Sequence, residues 1–295
     1  NRTGVVYQAA SGSESRGYIS GTYGAWTLAG TPPEALYGMT LESDIILPRY
    51  YSTPNTEFDR KYTNVSLFGM ATAQTASAAG LSGQNPTCLI PGDDEFDVSN
   101  LQVFAVKEAI ASKNVYFKLT SSYGPVTLPE LTSSVFFDAY DDTQWNLSVR
   151  VKPSMYPLAG YSAGGTAYTY DVIFHGTNVI YGDVKNSFTV TGSMTKAAGT
   201  SFLEAAKRVY AGAQRTNLTG ALVAYSDAYL SSLRYWTKYL DDNSLAQHAR
   251  DLDNFGISGS YQNISPFNGD LINAKLDILN LNTLALNWNF GLLTG

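Results

Sequence analysis

Apolar and polar positions alternate along most of the chain in short runs bounded by Gly, Pro, Asn and Ser, the pattern of half-buried β-strands. Residues 37–51 predict one long strand, with Met39, Leu41, Ile45 and Leu47 apolar and Pro48 marking an edge or an end. Runs of the same kind cover 65–71, 101–106, 114–120, 145–151, 168–174, 179–181, 186–192, 208–212, 220–224 and 230–239. Turns are expected at Tyr123-Gly124-Pro125 and at His175-Gly176-Thr177-Asn178. Helical spacing occurs in two places. Residues 200–206 predict one or two turns capped by Thr200 or Ser201, with Glu204 close behind. Residues 242–251 predict a clearer helix, capped by Asp242 or Asn243, with Leu245, Ala249 and Leu252 on one face. Many strands and few helices predict an all-β fold: an antiparallel β-sandwich with one or two short helices.

Composition narrows the partners. The chain has 295 residues, of which 44% are hydrophobic and only 15% charged, and its net charge is −6. It can therefore build a sizeable core. The negative balance and the lack of a Lys/Arg-rich run argue against nucleic acid, whose phosphates need a basic footprint. No apolar run approaches the ~18 residues of a membrane-spanning helix, so no membrane insertion is expected. A single cysteine, Cys88, forms no intrachain disulfide. The 21 tyrosines and the Gly/Ser/Thr/Asn-rich polar fraction suit a β-rich protein of a virion or of the cell exterior. Residues 1–35 read as a lead-in linker, 36–255 as one sandwich, and 256–295 as an exit segment running into a strand-like stretch at 283–290 and toward another domain. The chain reads as a processed product or a piece of something longer.

Three segments, taken in order, resemble the laminin-G-like, concanavalin A-like jelly roll. The first is Tyr140-Asp141-Asp142-Thr143-Gln144-Trp145-Asn146-Leu147-Ser148-Val149-Arg150, a wet acidic turn, a Trp that can plug the core, and an alternating strand. The second is Lys207-Arg208-Val209-Tyr210-Ala211-Gly212-Ala213, and the third runs from Gly220 to Leu240 and on into the capped helix. Two departures stand out: Asn146 sits where the family often has His, and no disulfide closes the C-terminal part. Ser232-Leu233-Arg234-Tyr235-Trp236 and Leu284-Ala285-Leu286-Asn287-Trp288 are also similar to large structural proteins of tailed phages infecting cyanobacteria. The resemblance implies a virion structural module of a phage capsid, tail or fibre. Its role would lie in assembly contacts with other virion subunits or with itself as a homo-oligomer, or in attachment to a host surface polysaccharide. The alternative is an extracellular glycan-binding adhesion module of a cellular organism.

Candidate chemistry is sparse, and the expectation is that the chain is not an enzyme. Glucanases of the concanavalin-like class use Glu-x-Asp-x-x-Glu on a strand. Glu42-Ser43-Asp44 and Glu95-Phe96-Asp97 begin that way, but Leu47 and Asn100 leave no acid to protonate a leaving group. Both pairs therefore read as solvated acids. Gly160-Tyr161-Ser162-Ala163-Gly164 matches a nucleophile elbow but lacks the strand before it and the helix after it. His175 and His248 read as structural or surface residues. Alternate carboxylates at Asp93, Glu95 and Asp97, or the group Asp138, Asp141 and Asp142, could supply oxygens to Ca²⁺, and the laminin-G-like resemblance favours calcium at a loop rim. Tyr161, Tyr168 and Tyr170, near the Gly-rich loop, are the candidates for stacking on a sugar. Sequons at Asn1, Asn64, Asn146, Asn217 and Asn263 are uninformative in a chain so rich in Asn, Ser and Thr.

Overall fold

The computed structural model of the chain describes residues 38–49, 62–72, 101–121, 128–155, 168–204, 207–215, 222–251 and 283–290. In chain order the elements are β1 (Met39–Leu47), β2 (Asn64–Thr72), β3 (Leu101–Lys107), β4 (Val115–Thr120), β5 (Leu131–Thr132) and β6 (Thr143–Pro153). They continue with β7 (Thr169–Ile180), β8 (Asp183–Thr195), α1 (Lys196–Glu204), β9 (Lys207–Ala211), β10 (Gln214–Arg215) and β11 (Leu222–Ala224). The last are β12 (Tyr229–Trp236), α2 (Asp242–Arg250) and β13 (Leu284–Asn289). Among the described residues the larger sheet has six strands in the order β13-β12-β1-β6-β7-β8, and the smaller has five in the order β5-β4-β3-β2-β9; β10 and β11 form a short pair. Every strand pairing is antiparallel. This is the antiparallel β-sandwich that the strand pattern predicts, of the jelly-roll type that the resemblance implies.

The core lies between the two sheets. Leu41, Ile45, Leu147, Val149, Val172, Phe174, Leu233 and Tyr235 enter it from the larger sheet, and Val65, Met70, Val103, Ala105, Phe117 and Leu119 from the smaller. Aromatic rings join the layers. Phe117 of β4 lies 4.8 Å from Trp145 of β6 and 5.7 Å from Phe188 of β8, and Phe188 meets Phe174 edge-on at 5.0 Å. Trp145 plugs the core as expected and donates its indole N–H to Thr143 Oγ1 at 3.0 Å, so the burial leaves no polar atom stranded.

Three local expectations change. His175-Gly176-Thr177-Asn178 is no turn; it lies inside β7. Gly176 is there for packing, because a Cβ at that position would meet the Phe188 ring and would come within 2.7 Å of Leu147 Cδ2. Gly176→Ala is therefore expected to cost about 1–3 kcal/mol of unfolding free energy by overpacking, as read by urea denaturation. The chain reverses instead at Tyr181 and Gly182, whose φ values of 54° and 82° make the two-residue hairpin turn that matches strand twist. Second, the first helix starts at Lys196, not at Thr200: the Thr195 hydroxyl accepts from Ala198 N at 3.3 Å and caps it. Third, Leu284–Asn289, which the sequence assigns to an exit segment, is the edge strand of the larger sheet and pairs with β12 from Ser232↔Asn289 to Trp236↔Leu284.

Candidate functional site

β1 is buried on both of its faces. Met39, Leu41, Ile45 and Leu47 point into the core, while Thr40, Glu42 and Asp44 point to the outer side of the six-stranded sheet and are equally inaccessible. The strand register aligns these polar residues with others on the neighbouring strands. One row runs Asn287, Arg234, Glu42, Ser148, His175 and Thr189 across β13, β12, β1, β6, β7 and β8. The next row holds Ser232, Asp44, Asn146 and Thr177. With strands about 4.8 Å apart, neighbours within a row are at contact distance.

Helix α2 packs over this polar face, starting from an Asp241 cap whose carboxylate accepts from Ser244 N at 2.8 Å. Its His248 and Asp242 reach two of the buried groups. Glu42 accepts from Trp236 Nε1 at 2.8 Å and from His248 Nδ1 at 2.9 and 3.1 Å, with Arg234 Nη1 at 3.9 Å. The His248 ring also stacks on Trp236, with centroids 5.4 Å apart. Burial alone would push the Glu42 carboxyl up. The charges of His248 and Arg234 and the hydrogen bonds from His248 and Trp236 outweigh it and hold the pKa down at about 2, so Glu42 is ionised. An ionised carboxylate only accepts, so His248 carries its proton on Nδ1. Asp44 behaves oppositely. Burial, with Glu42 close by, raises its pKa despite Arg234 and the hydrogen bonds from Ser232 Oγ (2.6 Å) and Asn146 Nδ2 (3.0 Å).

Arg150, 1% exposed, is held through Nη1 by Tyr239 OH at 3.2 Å, Leu240 O at 3.0 Å and Asp242 Oδ1 at 2.7 Å. His175 sits between two threonines, with Nδ1 2.8 Å from Thr189 Oγ1 and Nε2 2.9 Å from Thr177 Oγ1. Burial and the nearby Arg150 charge lower its pKa to about 4. At neutral pH the ring is therefore uncharged, donating through one nitrogen and accepting through the other.

Along β6, Asn146 Oδ1, Ser148 Oγ and Arg150 Nε are buried and have no hydrogen-bond partner among the described residues. They stand at alternate positions of one strand, hence on one face. A row of this kind offers an acceptor, a hydroxyl that is both donor and acceptor, and a cationic N–H over roughly 13 Å of strand. The face is closed at β1 and β12 and opens toward β8, where Ser187, Thr189, Thr191 and Ser193 are exposed.

No family model and no curated protein matches the chain. Its fold is similar to that of two solved enzymes. One is an alginate lyase from Pseudomonas aeruginosa, 12% identical over 71% of this chain and 70% of that one, with a TM-score of 0.34. The other is an exolytic PL7 alginate lyase from Zobellia galactanivorans, 7% identical over 65% and 66% of the two chains, with a TM-score of 0.24. At these values the likeness concerns the fold alone. It corrects one expectation all the same: both of these structures are enzymes, so the expectation that the chain is not an enzyme does not stand.

The residues singled out from sequence are scattered. Tyr170 is fully buried in the core, edge-on to Tyr168 at 5.6 Å, and its hydroxyl is 3.4 Å from Thr200 Oγ1. A ring enclosed in this way offers no face to a sugar. Tyr168 is half-buried beside the Lys196 ammonium, which lies 4.6 Å from its ring centroid. Tyr161, the Gly160–Gly164 loop and Asp93, Glu95 and Asp97 lie outside the described residues. Asp141 pairs with Arg49 at 2.8 Å and Lys113 at 3.5 Å, and the hydrogen bond from Arg49 lowers its pKa. Asp142 accepts from the Arg49 backbone N–H at 2.7 Å, and Asp138 takes a φ of 53°. Asp141 and Asp142 thus face a guanidinium, an ammonium and a backbone N–H, and among the described residues no group of three His, Cys, Asp or Glu converges as metal ligands.

The Glu42 and Asp44 pair is not solvated, contrary to the sequence reading. Both side chains are at 0% exposure in the polar network. Asn146, Ser148, Arg150 and Arg234 carried no functional expectation at all. The signal was present in the alternation of β6 and β12, where every second residue between the apolar ones is polar.

Proposed function

We propose that the protein is a polysaccharide-recognition sandwich whose glycan site is the exposed margin of the outer face of the six-stranded sheet, along Ser187, Thr189, Thr191 and Ser193 of β8. The observation that carries this reading is this row of four exposed hydroxyls at alternate positions of one strand, backed by the buried polar rows of β1, β6 and β7. Sugar hydroxyls donate and accept at once and so match the mixed character of the row. The gradient from closed at β1 to exposed at β8 supports approach from the β8 side. The resemblance of Ser232–Trp236 and Leu284–Trp288 to phage structural proteins supports a module carried, within the same proposal, on a virion or at the cell exterior. There it would attach the particle to a surface glycan and contact other subunits.

The test is binding of wild type and Thr191→Ala to a panel of soluble polysaccharides that includes alginate, with and without calcium, by isothermal titration. Wild type is expected to bind at least one member of the panel. Thr191→Ala is expected to weaken that binding about tenfold, while its unfolding free energy stays within about 0.5 kcal/mol of wild type, as for an exposed side chain. Binding that is indifferent to Thr191, or no binding across the panel, would falsify the assignment. New reducing ends in the same mixtures would add cleavage to recognition.

A further inference from the structure

We propose that two copies of the chain pair edge to edge through β8, antiparallel and centred on Val190, so that their six-stranded sheets become one. β8 is the last strand of its sheet and is 13 residues long. Among the described residues its backbone N–H and C=O groups bond only to β7. Long edge strands are ordinarily protected by proline, by inward charges or by cover. From Asn186 to Thr195, β8 has neither proline nor charge, and its outer side chains Ser187, Thr189, Thr191 and Ser193 are exposed.

The occupant that fits is a second copy, because the strand is complementary to itself. With the two-fold axis at Val190, Thr189 faces Thr191 of the other copy and Ser187 faces Ser193, each twice, forming hydroxyl pairs of the kind that support antiparallel ladders. The charges of the strand, Asp183 and Lys185, lie at its hairpin end. In this register Asp183 falls opposite residue 197, where the other copy has already turned into α1, and Lys185 meets the last rung at Thr195. No like charges meet within the ladder.

The experiment is sedimentation velocity of the full chain over a dilution series. Wild type is expected as a dimer at the top of the series. Ser187→Lys combined with Ser193→Lys places like charges opposite each other at both ends of the ladder and is expected to raise the dimer dissociation constant about tenfold or more. Ser187→Glu combined with Ser193→Lys sets opposite charges in the same places and is expected to restore the dimer. A wild type that stays monomeric throughout, or a double-lysine variant that dimerises as tightly as wild type, overturns the proposal. So does a Glu/Lys variant no tighter than the double lysine, since only this register brings 187 and 193 together.

Discussion

Glu42→Ala is expected to lower the unfolding free energy by about 3–5 kcal/mol, the usual consequence of removing one partner from a buried ionic network. The carboxylate is fully buried and is the shared acceptor for the Trp236 indole and the His248 imidazole, with the Arg234 guanidinium at 3.9 Å. Alanine leaves the indole and imidazole donors facing a void that cannot satisfy them. Glu42→Gln keeps an acceptor oxygen but loses the charge, so its loss is expected to be smaller. Urea denaturation followed by tryptophan fluorescence reads both variants, since Trp236 stacks on His248 at the heart of the network. An alanine variant within ~1 kcal/mol of wild type would show that the network contributes little.

The pH dependence gives a second readout of the same group. The folded carboxyl titrates at about 2, below its ordinary 4.5. A depressed carboxyl stabilises the fold fully above the unfolded value and loses that contribution as pH falls from 4.5 toward 2. Wild type should therefore weaken in that window, and Glu42→Ala should lack this part of the decline.

The strands were legible because their alternation is strong and local. β2, β3 and β4 fall within one residue or so of the expected bounds; Leu101, Val103 and Ala105 of β3, and Val115, Phe117 and Leu119 of β4, alternate onto one face without help from afar, while a bulge between Ser66 and Phe68 carries Met70 of β2 onto the face of Val65. The turn after β7 was not legible. Gly176 is a turn signal in any local reading, and only the ring of Phe188, twelve positions on, explains it as a packing glycine. The actual turn places Tyr181 at positive φ, a residue that ordinarily avoids that region.

The site was half legible for a related reason. Glu42 and Asp44, two apart on a strand, had to share a face, and the sequence shows that much. Whether the face meets water depends on α2, whose His248 lies 206 positions from Glu42. No spacing rule reaches that far. The same distance hid the role of Arg150, whose guanidinium is fixed by Leu240 and Asp242 at the start of α2.

Stability is also expected to fall by about 3 kcal/mol between pH 6.5 and pH 4, before Glu42 begins to titrate in earnest, because of His175. Its ordinary value of 6.5 is lowered to about 4 by burial first and by the Arg150 charge second; Asp242 and the backbone of Phe188 pull the other way without prevailing. With the folded pKa below the unfolded one, the unfolded chain takes up the proton first. The neutral ring then contributes its full stability above pH 6.5, loses it progressively toward pH 4, and changes nothing further below. The sign is the same as for Glu42 but the window is higher, so the two contributions separate along one profile. His175→Gln, which keeps a hydrogen-bonding amide beside Thr177 and Thr189, is expected to flatten the upper window and leave the lower one in place. Asp242→Asn removes a charge that favours the protonated ring, and should carry the upper decline to lower pH. Urea midpoints taken at half-unit steps from pH 8 to pH 3 would read all three proteins. A wild-type profile that is level between pH 6.5 and pH 4, or a glutamine variant with the same slope there, would mean that the ring takes up its proton as readily in the fold as in the unfolded chain, and the lowered pKa assigned to it would fall.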